Sequence, residues 1–139
     1  MAVSLIVGAT RMVAEFTQSP AEILAGLNRR LHGRLQGGFA TCVAMRLDRD
    51  LGCTISSAGH PAPYLNGREA VVPGALPLGV AAQASYEETE IRLQPGDYLA
   101  LCTDGLLEAR NPVGELYGFD RLKTLFAANP LPNRLPKPQ

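Results

Sequence analysis

The residues best placed to do chemistry lie in two short stretches. In Cys102-Thr103-Asp104-Gly105-Leu106-Leu107-Glu108 an apolar, strand-like segment runs straight into a carboxylate. Gly105 lets the backbone turn sharply there and come close to a ligand. Local sequence leaves two roles open for Asp104: cap of a helical turn running to Glu108, or ligand for a cation. In Ser57-Ala58-Gly59-His60-Pro61 a histidine occupies a tight turn at a strand end. His60 there suits a general acid, a metal ligand or a turn residue bonded to a backbone carbonyl. With no partner at ligand spacing, the structural role is the better reading.

Other chemistries lack their residues. His32 lies near the end of a helix, where a favourable dipole contact explains it. Two histidines and three scattered cysteines share no zinc-binding spacing. The glycines form neither a phosphate-cradling Gly-x-x-x-x-Gly-Lys loop nor a Gly-x-Ser-x-Gly elbow. Cys102 sits in an apolar run with no adjacent cation, where burial keeps a thiol protonated and inert. Cys42 and Cys53 read the same way, as small hydrophobes in a reducing compartment. Asp97, Glu108 and Glu115 flank turns and read as solvated.

Thirteen basic residues balance thirteen acidic ones, so the chain has no electrostatic footprint for nucleic acid and no basic run for an anionic membrane. The 139 residues, 46% hydrophobic and 19% charged, predict one globular domain with a real core. Met1 to Ala9 is apolar, yet it lacks the basic start and cleavage site of a secretory signal and is too short to span a bilayer. A cytoplasmic location is expected.

The elements that must position these residues follow from periodicity. Ala2, Leu5, Ile6, Ala9, Val13 and Phe16 recur at helical spacing, predicting a first helix that ends near Thr17. Ser19 as cap, Pro20 at the first position and Glu22 as capping-box partner open a second helix, with a stripe of Ile23, Leu24, Leu27, Leu31 and Leu35, ending at Gly37-Gly38. From Phe39 to Leu47 large residues fall on odd positions and small ones on even positions, a strand with a small-residue face. Asp48 to Gly52 turns into a return strand, Cys53 to Ala58. Asn66-Gly67 marks a hairpin between Tyr64-Leu65 and Ala70-Val71-Val72. Tyr86 to Leu93 predicts a half-exposed strand. Gln94-Pro95-Gly96-Asp97 turns into Tyr98 to Thr103, expected to be central and buried. A short helix, Phe119 to Ala127, closes residues 1–128, and a proline-rich tail, residues 129–139, follows. Helices at both ends of antiparallel strands give an α+β layered domain.

Several of these segments together resemble the stage II sporulation protein E type serine phosphatases, a branch of the metal-dependent protein phosphatase (PPM) superfamily, over about residues 2–127. The resemblance rests on Ser19-Pro20-Ala21-Glu22-Ile23-Leu24 with Leu27-Asn28-Arg29, on Gly38-Phe39-Ala40-Thr41, and on Ser57-Ala58-Gly59-His60-Pro61. It extends to Leu76-Pro77-Leu78-Gly79, Gln94-Pro95-Gly96-Asp97, and Thr103-Asp104-Gly105 with Glu108-Ala109-Arg110-Asn111. Their joint order carries the match. It implies an α-β-β-α sandwich holding two Mn²⁺ or Mg²⁺ ions, with a bridging water attacking a phosphoserine or phosphothreonine. On this match Asp104 is a metal ligand, while Gly105, Gly59 and His60 shape the site. No catalytic side chain is assigned.

The departures matter too. The family's Asp-x-x-Gly-His/Lys-Gly motif does not precede the first helix, its Asp-Asp motif does not follow the last, and Asp120 replaces neither. One remaining metal aspartate implies an incomplete sandwich that binds metal weakly and turns over poorly. Sheet edges left without neighbours imply a homodimer or a swapped sheet. The resemblance suggests a phosphorylated anti-sigma-factor antagonist as substrate, in partner-switching signalling. The alternatives are a non-catalytic pseudophosphatase or interaction module, and a fragment with no function of its own.

Overall fold

The computed structural model describes residues 10, 12–103 and 110–116. Asp104 and Gly105, most of the predicted first helix, the predicted helix over 119–127 and residues 129–139 lie outside the described residues. The chain forms an α+β fold whose contacts divide it into two compact units, residues 1–60 with 71–93, and residues 61–70 with 94–139.

The first unit is built on helix α1, Pro20–Leu31. Ser19 caps it, its hydroxyl accepting from the Glu22 N–H at 3.3 Å. The predicted reciprocal bond from Glu22 to the Ser19 N–H does not form. Glu22 instead accepts from the Thr17 hydroxyl, and Ser19 N–H donates to Thr17 Oγ1 at 3.1 Å. Glu88, from the strand side, accepts from both the Ser19 hydroxyl and the Ala21 N–H. These bonds hold the Glu88 carboxyl below the ordinary carboxylate range. The helix stops at Leu31, not at Gly37-Gly38 as the apolar stripe predicts: His32 is already extended, with ψ 129°, and Gly33 takes φ +79°. Leu35 still packs on the core, from a loop.

Strands β1 (Cys42–Leu47), β2 (Gly52–Ala58) and β5 (Thr89–Arg92) form an antiparallel sheet in the order β1-β2-β5. A three-residue loop closed by the Asp48–Gly52 pair joins β1 to β2: Leu51 N–H donates to the Asp48 carbonyl, and Leu51 sits at φ +68°, the left-handed position such a loop requires. The small face of β1 meets the helix. Leu24, Leu27 and Leu31 are fully buried with Val13, Ala58, Leu78 and Tyr86, and Cys42 and Ala44 pack against them. Large helix side chains thus dock on small strand residues, which is why the alternation of β1 runs as it does.

The second unit holds strands β3 (Tyr64–Leu65), β4 (Arg68–Glu69) and β6 (Leu99–Ala100), in the order β4-β3-β6. Asn66 (φ +51°) and Gly67 (φ +83°) make the predicted two-residue turn. Because such a turn sets Leu65 opposite Arg68, the return strand is Arg68–Glu69 and not Ala70 to Val72. The segment Tyr98 to Thr103 is not a central buried strand. Among the described residues only Leu99 and Ala100 pair as a strand, with β3, and both are half-buried, while Leu101 is exposed. An apolar run buries itself only where neighbours flank it on both edges, and β6 has one such edge among the described residues. No helix among the described residues is long and apolar enough to cross a membrane.

Candidate functional site

Gly59 and His60 close strand β2. Gly59 has φ +68°, and a Cβ there would stand 2.6 Å from Pro77 Cγ, so the position demands glycine on both counts. The turn is tied to itself through Ser57, whose hydroxyl accepts from the His60 N–H at 3.2 Å and donates to the His60 carbonyl at 3.0 Å. The ring reaches a different element: Nδ1 shares a hydrogen bond of 3.2 Å with the Thr41 hydroxyl. His60 is thus a turn residue, but its ring is anchored by a side chain and not by a backbone carbonyl.

The Leu76-Pro77-Leu78-Gly79 segment meets this turn and the helix. Ala40 and Leu78 exchange backbone bonds of 3.0 and 2.7 Å. Buried Asn28 accepts from the Gly79 N–H at 2.8 Å and donates to the Ala81 carbonyl at 2.9 Å. Both ends of its amide are therefore used, as a buried amide requires. Four segments far apart in sequence, around Asn28, Thr41, Gly59-His60 and Pro77-Gly79, close on one another within the first unit. Thr41, Ser57 and Asn28 have no spacing relation to His60 that periodicity could reveal. Each merely lies in one of the recognised segments.

The carboxylates read as solvated are partly occupied. In the second unit Asp97 accepts from Gln94 N–H at 2.7 Å and Asn66 Nδ2 at 2.9 Å, and Asn66 Oδ1 accepts from Tyr98 N–H at 3.1 Å. The Gln94 amide, then Asn66, hold the Asp97 carboxyl below its ordinary range. Glu115 belongs to a small loop organised by Asn111, whose Oδ1 accepts from Val113 and Glu115 N–H at 3.1 and 2.9 Å. Burial pushes the Cys42 thiol up, and burial followed by the Asp48 carboxylate does the same to Cys53, so neither is a thiolate nucleophile. All three cysteines are free.

A family model for stage II sporulation protein E (SpoIIE) matches residues 1–137. The chain belongs to that family. It is also similar to a crystal structure of the RsbU and RsbW domains of Rv1364c from Mycobacterium tuberculosis, with a TM-score of 0.67 and 26% identity. That likeness covers 92% of this chain and 38% of the other, so the chain spans well under half of that protein's length. No curated protein matches the chain.

SpoIIE-type proteins are protein phosphatases that depend on metal ions. Among the described residues no three His, Cys, Asp or Glu side chains come together to hold one. Hard divalent cations need several oxygen ligands. The described residues alone therefore do not fit such an ion.

Proposed function

We propose that this SpoIIE-family chain is a phosphatase core acting in partner-switching signalling, in the cytoplasm, on a phosphoserine or phosphothreonine of an anti-sigma-factor antagonist. The observation that carries the reading is the family match over residues 1–137. The likeness to a structure containing RsbU and RsbW domains supports it. Asp104 is the proposed ligand for Mn²⁺ or Mg²⁺, at the end of the segment that contains β6, with Gly105 letting the backbone approach. Gly59 and His60 are the proposed site-shaping residues by the family resemblance; within the first unit the Ser57 bonds and the close approach of Pro77 fix their turn, and Thr41 fixes the ring. Their task is positional.

A second reading is a non-catalytic module that binds a phosphoprotein without turnover. It draws support from one observation: Asn28, Thr41, Ser57 and His60 all make bonds within the fold. Mn²⁺-dependent phosphate release from a phosphoserine protein separates the two. The phosphatase reading expects slow, Mn²⁺-dependent turnover that falls about tenfold or more in Asp104→Ala. Equal turnover in the variant contradicts the ligand role, and binding of the phosphoprotein without turnover selects the module.

A further inference from the structure

Strand β1 ends its sheet: among the described residues its neighbour is β2 alone. Two hydrogen bonds fix which of its backbone groups face outward. Asp48 N–H donates to the Gly52 carbonyl at 2.8 Å, which makes that pair hydrogen-bonded. By alternation Arg46 with Thr54, Ala44 with Ser56 and Cys42 with Ala58 are bonded pairs too. On the other side of β2, Leu93 N–H donates to the Leu51 carbonyl at 2.9 Å, so Cys53 with Ile91 and Ile55 with Thr89 are the bonded pairs there. Odd residues of β2 serve β5, and even ones serve β1. Both bonds give the same answer. Val43, Met45 and Leu47 aim their N–H and C=O groups away from β2, at the free edge.

The side chains of these three residues stand on the face opposite Cys42 and Ala44, which the helix core covers. Met45 is 42% and Leu47 58% exposed. Among the described residues these outward groups have no backbone partner, the Val43 carbonyl accepting only from the Cys42 thiol of its own chain at 3.8 Å, and such groups beside exposed apolar side chains form a pairing template.

We propose that this edge pairs with the same edge of a second copy of the chain, antiparallel, about a two-fold axis at Met45. Met45 then stands opposite its own copy, and Val43 opposite Leu47 of the second copy. Every opposed odd pair is a bonded pair, so the outward N–H and C=O groups of all three residues find partners. Moving the axis to Ala44 sets Leu47 against Thr41, outside the strand. Moving it to Arg46 sets two guanidiniums face to face. With the axis at Met45, Arg46 faces Ala44 of the second copy and stays engaged within its own chain, ion-paired with Asp48 at 3.3 Å and donating to the Gln18 carbonyl at 3.3 Å. The product is one continuous sheet in the order β5-β2-β1-β1-β2-β5. One six-residue edge buries less than the roughly 1,200–2,000 Å² of a stable interface, so the dimer is a weak one, formed only at high chain concentration.

This inference does not depend on the phosphatase reading, and it is tested by sedimentation equilibrium on the full chain from about 1 μM to 1 mM. The wild type is expected to show a reversible monomer–dimer equilibrium. Met45→Lys brings two ammonium groups together at the axis and is expected to be monomeric throughout. Met45→Pro removes only an outward N–H, so it too should be monomeric, with an unchanged circular-dichroism spectrum showing that the β2 ladder persists. With a short bifunctional thiol crosslinker, Met45→Cys should form a linked dimer, since bonded antiparallel pairs hold Cα atoms about 5.5 Å apart. Leu47→Cys, facing Val43 of the other copy, should not crosslink beyond the wild-type level. A wild type monomeric at every concentration overturns the proposal, as does a dimer that survives Met45→Lys or a Leu47→Cys chain that crosslinks as readily as Met45→Cys.

Discussion

The two units are held by different physics. In the first, the leucines of α1 are driven onto the small residues of β1 and β2, and its buried polar groups, Asn28 above all, are satisfied by bonds to loops. In the second, the described strands are two residues long, and turns hold them: the Asn66-Gly67 turn and the Gln94-Pro95-Gly96-Asp97 turn bond to each other through Asn66, Asp97 and Tyr98. Area removed from water dominates one, and directional bonds near solvent the other. The first therefore responds most to truncation of apolar groups, and the second to loss of single side-chain bonds.

The largest effect expected is on the apolar side. Leu27→Ala removes a fully buried side chain and should cost about 2–5 kcal/mol, read as a lower midpoint in urea unfolding. An unchanged midpoint would mean that the helix is not what holds the first sheet. Asn66→Ala should cost less, about 1 kcal/mol, because the bonds it removes lie near water. Its effect should be concentrated in faster amide exchange at Leu65, Tyr98 and Leu99. Faster exchange at Leu24 and Leu27 instead would erase the contrast.

The smallest effect is a titration. Asp97 has a folded pKa below its unfolded value, near 3.9, so its contribution is present above that value and is lost as pH falls through the folded one. An NMR titration should find its midpoint below that of a free aspartate, and Asn66→Ala should raise it. A midpoint that Asn66→Ala leaves in place would show that the clip between the two turns is not formed.

How much of this was legible in the sequence follows the same division. The helix start, the alternation of β1 and the Asn66-Gly67 turn could be read because each is written in consecutive residues. What could not be read depends on residues far apart. The helix ends at Leu31 because His32 turns extended, although Leu35 continues the stripe and does reach the core from a loop. Glu88 takes the capping bonds from 67 and 69 residues away. Hydropathy overstates the burial of Tyr98 to Thr103 because it reports what a segment tolerates, and only the sheet order shows that β6 has one neighbour among the described residues. At the candidate site, the tight turn at Gly59-His60 was readable, whereas its ties to Thr41 and Pro77 were not.

The proposed role of Asp104 as a ligand for a divalent cation is tested most directly by paramagnetic broadening of backbone amide signals by Mn²⁺. The account predicts broadening that begins at Cys102, Thr103 and the residues next to Asp104 and vanishes in Asp104→Ala. Broadening that persists in that variant, or that centres on the surface carboxylates Asp48 and Asp50, would contradict it.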